Sequence, residues 1–214
     1  WLFLFFLIPS VVLSTVTLDI TTDVKKAIVF HMSGSVCLGI SAIYCYKREL
    51  TFQRLLGIIT AFSLPLLCLV TYLSFYTPNI QDVVTGTQSN FETSGGFGPN
   101  QVSTILGLGI FIFFVQLMLN SSNGILQIIN GGLVLFFAYR GLITFSRGGI
   151  YTGVAMILLL LAILYFQANF QTKPKIAGII VLSFLATLAV WSYSSIKTNG
   201  LLDKRDANQD AAGR

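Results

Sequence analysis

The feature that most constrains this chain is a repeated length. Apolar runs of about 20 residues, the span a helix needs to cross the hydrocarbon layer of a bilayer, follow one another with short polar breaks between them. Seven segments qualify or nearly qualify, at roughly 1–17, 27–46, 55–76, 102–119, 125–143, 149–167 and 176–195. Backbone in lipid must satisfy its own hydrogen bonds, so runs of this length are read as helices. The expected fold is an all-α, polytopic transmembrane bundle over residues 1–198, followed by the start of a polar segment over 199–214. Only 10% of the residues are charged and 54% are hydrophobic, where soluble domains run near a quarter charged. That excludes a soluble enzyme, a disordered tail and a nucleic-acid-binding domain. The net charge of +5 therefore points to topology and not to a nucleic-acid partner.

Breaks and charges orient the spans. Asn120-Ser121-Ser122-Asn123-Gly124 and Gly95-Gly96-Phe97-Gly98-Pro99-Asn100 are breaker clusters and belong at an interface or in a protein-lined cavity. Lys47, Arg48 and Arg54 crowd the loop between spans two and three, and Lys173 and Lys175 the loop between spans six and seven. The positive-inside rule makes both loops cytoplasmic. Loop 77–101, with only Asp82 and Glu92 as charges, then faces outside, as does the tail from Lys197. The chain opens on Trp1 inside an apolar run, without the basic stretch and cleavage site of a signal peptide. It reads as a fragment of a longer protein.

One connection departs from the rule. The link between spans five and six must face outside, yet it holds Arg140 and Arg147 and no acid. Snorkelling to lipid headgroups is one explanation; an anion site open to the outside is the other. Ionisable residues at membrane depth are functional candidates by default, and the planar, permanently charged guanidinium suits phosphate. The segment Ser146-Arg147-Gly148-Gly149 opens span six. Its glycines let backbone approach a ligand, and free amides at a helix start favour anions. Ser146, Arg147 and Gly148 thus form a candidate phosphate cradle. Gly149-x-x-x-Gly153 has the spacing of close helix packing.

These residues carry a resemblance. Ser146-Arg147-Gly148-Gly149 at the start of a span, Gly98-Pro99-Asn100 just before an earlier one, and the order of parts over residues 55–214 together resemble the O-antigen ligase and O-antigen polymerase family of bacterial inner-membrane glycosyltransferases. The resemblance implies a fold like that of C-type glycosyltransferases. It implies an undecaprenyl-pyrophosphate-linked glycan as donor and a glycan or lipid acceptor on the periplasmic side, in lipopolysaccharide or other polysaccharide biosynthesis. No cofactor is implied, neither a nucleotide sugar nor a metal. Arg147 matches the motif arginine that holds the pyrophosphate; Arg140 joins it on topology alone. Asn100, Lys204 and Arg205 are candidate contacts to donor or acceptor. The family's catalytic histidine is expected beyond Arg214, so the fragment is expected to be inactive alone. The competing reading is a transporter or flippase for an anionic lipid or sugar phosphate, using the same arginines for binding only.

The remaining signals are weaker. His31, the one histidine, lies near the outer end of span two and reads as interfacial or packed. Cys37, Cys45 and Cys68 form no Cys-x-x-Cys pair and are expected as buried apolar side chains. Asp206-x-Asn208-x-Asp210 resembles the start of a calcium loop but lacks its glycine and its terminal glutamate. Asn120-Ser121-Ser122 fits a glycosylation sequon on what the topology makes the inner side.

Overall fold

A computed structural model of the chain describes residues 22–77, 91–121 and 123–207, with a few isolated positions outside them; the side chains of 22–27, 30, 31 and 205–207 are not described. Every regular element among the described residues is a helix. They are α1 (Thr22–Cys45), α2 (Phe52–Tyr76), α3 (Pro99–Val115), α4 (Gly124–Ile143), α5 (Gly148–Gln167), α6 (Lys173–Lys197) and a short α7 (Leu201–Ala207). One π-helical turn, Gln116–Asn120, extends α3.

Five of these helices are long and apolar enough to cross a membrane: α2, α3 with its π-turn, α4, α5 and α6. At 1.5 Å per residue, twenty residues reach about 30 Å, the length of both α4 and α5. This is the composition of a multi-pass membrane protein. The expected second span is helical over Thr22–Cys45, but its apolar part is the shorter Met32–Cys45. The expected first span falls almost wholly outside the described residues.

The chain divides into two units, Trp1–Leu55 and Leu56–Arg214. The first contains α1. Its described side chains, Cys37 and Cys45 among them, are mostly exposed. Cys68, in the second unit, is exposed as well, so all three cysteines lie on helix surfaces and not in the interior expected of them. A thiol is apolar enough to face lipid, which removes the need to bury it.

The second unit is organised around α3, where 61% of the most apolar stretch is buried, against 11–28% in α2, α4, α5 and α6. Leu66, Val70 and Leu73 of α2, Leu106, Ile110 and Phe113 of α3, Phe137 of α4 and Ile157 and Leu161 of α5 form one core. The α3–α5 crossing is set by small residues. A Cβ on Gly107 would stand 1.9 Å from the Gly149 carbonyl oxygen, one on Gly149 2.1 Å from the Ser103 carbonyl, and one on Gly153 2.6 Å from the Gly107 carbonyl oxygen. These obstacles are backbone atoms and cannot turn aside. Helices in lipid gain little from excluding water, and close contact of this kind is what holds them together.

The other end of α3 shows how the bundle manages its break. The π-turn displaces the normal hydrogen-bond ladder. Ser121 Oγ donates to the Gln116 carbonyl at 2.8 Å, and Asn130 Nδ2 of α4 donates to Ser121 Oγ at 2.9 Å. The Ser121 hydroxyl of the breaker cluster thus satisfies a carbonyl that would otherwise be bare, and Asn130 of α4 holds that hydroxyl in place.

Candidate functional site

The site lies where α4 ends and α5 begins. α4 closes at Ile143 and α5 opens at Gly148, so only four residues, Thr144 to Arg147, make the reversal. Phe145 adopts φ 54, a left-handed conformation uncommon for a bulky side chain. Its ring is 2% exposed and packs with Ile143 and Leu202, which holds the strained residue in place. Thr144 Oγ1 donates to the Gly141 carbonyl at 2.7 Å and accepts from the Ser146 amide at 3.3 Å.

Two residues in the first turns of α3 pin Ser146 from the other side. Ser146 Oγ donates to Asn100 Oδ1 at 2.8 Å, and Ser103 Oγ donates to the Ser146 carbonyl at 2.5 Å. The Gly98-Pro99-Asn100 and Ser146-Arg147-Gly148-Gly149 segments, far apart in sequence, are therefore in direct contact. Pro99 occupies the first turn of α3, where its missing amide leaves no bond unmade.

Arg147 is the residue before α5 and is half-buried. Its side chain lines a small hollow with Phe145, Ser146, Tyr151, Trp191 and Leu202. Gly148 and Gly149 differ sharply. A side chain at Gly149 would strike the backbone of α3, whereas one at Gly148 would meet nothing within 4 Å. Packing explains the second glycine and leaves the first unexplained.

Arg140 belongs to a different environment. It is 4% exposed, and its Nη2 donates to the Leu73 carbonyl at 2.7 Å and to Thr77 Oγ1 at 3.5 Å. The Leu73 carbonyl also accepts the Thr77 amide at 3.1 Å, so it lies in the last turn of α2. A cation there meets the negative end of the helix dipole, which supplies the counter-charge that the sequence lacks. The turn 91–97 packs against the same end of α2. Gly95, at φ 68, leaves its missing Cβ only 2.7 Å from the Leu73 side chain, and Tyr72 donates its hydroxyl to the Gly95 carbonyl at 3.3 Å. Arg140 Nε makes no hydrogen bond. The side chain does not line the hollow beside Arg147; it clamps α4 to the end of α2.

The other expected contacts are dispersed. Asn100 is exposed and reaches the site through Ser146. Lys204 is exposed on α7 and does not line the hollow; the side chain of Arg205 lies outside the described residues. The side chain of His31 and the run from Asp206 to Asp210 lie there too, apart from the backbone of Asp206 and Ala207 in α7.

Several residues entered the site without a sequence signal of their own. Ser103 and Gly107 have the small-x-x-x-small spacing of close packing, but the spacing does not say which helix they meet. Trp191 lines the hollow from α6, and Leu202 reaches it because α7 folds back on α6. No family model, no curated protein and no solved structure matches this chain.

Proposed function

We propose that this chain is part of a bacterial inner-membrane glycosyltransferase of the O-antigen ligase or polymerase type. It moves a glycan from an undecaprenyl-pyrophosphate donor to an acceptor on the periplasmic face. The contact between Ser146 and Asn100 carries the reading, because it joins the two segments on which the family resemblance rests. Arg147, lining a hollow beside them, is the anchor for the pyrophosphate. Its guanidinium would offset the charge that grows on the leaving pyrophosphate as the glycosyl bond breaks. Ser146, held by its two α3 partners, fixes where the arginine starts. Gly148 supplies an approach for the phosphate to the backbone at the head of α5, a role that accounts for a glycine with open space around its missing side chain.

The test uses the full-length protein with membrane levels measured beside glycan transfer from the polyprenyl-pyrophosphate donor. Arg147→Ala should insert normally and lose nearly all transfer. Arg147→Lys should lose most of it, since an ammonium does not reproduce bidentate phosphate geometry. Wild-type transfer by Arg147→Ala at normal levels rejects the site. In the same membranes an impermeant thiol reagent should label Asn199→Cys and spare Gln171→Cys, two exposed positions beyond opposite ends of α6. The reverse pattern places the hollow on the cytoplasmic side and rejects a periplasmic reaction.

A further inference from the structure

The hollow beside Arg147 is small, with room for about one water molecule. An anion as large as a phosphate does not enter it until a wall moves. Three of the walls are firmly tied. The α4–α5 turn is held to α3 through Ser146, which bonds to Asn100 and Ser103. α5 meets α3 backbone to backbone at Gly149 and Gly153. Trp191 stands within the long α6. The remaining wall is Leu202 of α7, a helix of seven residues.

α7 is held lightly. Among its described side chains Leu202 alone is buried, at 2% exposed, and it packs with Phe145. Asp203 supplies the polar ties: one carboxylate oxygen accepts from Trp191 Nε1 at 3.1 Å and the other from Ser195 Oγ, both at the protein surface. Elements with few buried contacts and solvent-open hydrogen bonds are the first to detach. The link to α6 runs through Asn199 and Gly200, at φ 52 and 72, and residues at the ends of elements absorb the backbone change of a hinge. Leu202 also supports the strained conformation of Phe145, which persists only while its surroundings hold it. Withdrawing Leu202 therefore widens the hollow and loosens the turn that carries Arg147. We propose that α7 is a strap that closes the hollow with Leu202, and that an anion reaches Arg147 only after α7 swings away about Asn199 and Gly200. The proposal rests on the reading of Arg147 as a ligand contact and adds the opening step that must precede binding. A ligand of the open form alone binds more weakly by the fraction of molecules that are open.

Two measurements on the full-length protein in nanodiscs test the strap. The first is the rate at which a small methanethiosulfonate reagent modifies Ser146→Cys, a buried position lining the hollow, with Cys37, Cys45 and Cys68 replaced by alanine. Adding Asp203→Ala removes both polar ties of α7 without trimming the wall, and should raise that rate about tenfold. Val102→Cys, buried in α3 and not lining the hollow, should be modified no faster. An unchanged rate at Ser146→Cys overturns the strap, and so does an equal gain at both positions, which reports general loosening. The second is glycan transfer by Ser195→Cys/Asp203→Cys, whose side chains replace a pair in direct contact. Untethered, this variant should transfer at least as fast as wild type. Joined by a short bismethanethiosulfonate linker it should lose more than about 90% of transfer, and reduction should restore it. Full transfer by the tethered form overturns the strap and leaves Arg147 as the anchor. Wild-type transfer by Arg147→Ala removes the anchor, and the strap loses its purpose with it.

Discussion

The two ends of the α4–α5 turn hold one arginine each, and they use the charge in opposite ways. Arg140 is buried, faces the last turn of α2 and donates to a backbone carbonyl and a threonine hydroxyl. Arg147 is half-buried and lines a hollow. The helix dipole gives Arg140 a structural reason to be charged. In the function proposed above, Arg147 has a ligand instead. A basic residue with no acid near it in the sequence can thus be a clamp or, as proposed for Arg147, a ligand contact, and the acceptor it meets decides between them.

The widest separation between the two should come from alanine replacements read on two scales. Arg147→Ala is expected to remove nearly all transfer with normal amounts of folded protein. Arg140→Ala is expected to act on stability, by about 1–3 kcal/mol, because it leaves a buried helix end without its charged donor. Membrane level and the melting temperature of the purified protein report that loss, and transfer per folded molecule should stay close to wild type. Normal melting with abolished transfer for Arg140→Ala would make it a ligand contact after all and erase the contrast.

The paired glycines beside Arg147 sharpen the same division within two adjacent positions. Gly149→Ala places a methyl group against the Ser103 backbone and should force α3 and α5 apart, at a cost of about 1–3 kcal/mol or more. Gly148→Ala meets open space and should leave melting unchanged or slightly raised, since alanine favours the helix. Its transfer rate should nevertheless fall, because the methyl group occupies the approach to the backbone. If Gly148→Ala transfers normally, the ligand stays away from the head of α5 and the arginine side chain binds without help from the amides.

Helices over α2 to α6 were legible because their signal is a length and a composition, both local properties. The α4–α5 turn was legible for a related reason: Gly148, Gly149 and the flanking arginines interrupt an otherwise apolar stretch. What the sequence did not carry was pairing. Arg140 and Arg147 have the same neighbourhood in the chain, and only the return of α2 beside α4 separates a capped charge from one that faces a cavity. Gly149-x-x-x-Gly153 announced a close contact but not its partners, Ser103 and Gly107. Trp191 of α6 and Asp203 of α7 carry no signal in the sequence that pairs them; they meet, Nε1 donating to Oδ1 at 3.1 Å, because α7 turns back through Asn199 and Gly200, both in left-handed conformations. Long-range contacts of this kind depend on the whole bundle and leave little trace in any one segment.

The smallest effect should come from the Ser146–Asn100 bond, and it is the most direct test of whether the two segments act together. Ser146 Oγ donates to Asn100 Oδ1 at 2.8 Å, with Asn100 itself exposed. A bond of this kind, partly open to solvent, contributes about 1 kcal/mol. Ser146 keeps a second tie through its carbonyl, which accepts from Ser103 Oγ, so the turn should survive loss of the first. Ser146→Ala and Asn100→Ala should each lower the melting temperature slightly, and the double variant should be no worse than either alone. The resulting coupling energy, about 1 kcal/mol from a double-mutant cycle, measures the contact in solution. Transfer should fall in all three by similar factors if the bond serves to place Arg147. Strict additivity on both scales would mean that the two side chains act independently, and the contact that joins the segments would lose its functional meaning.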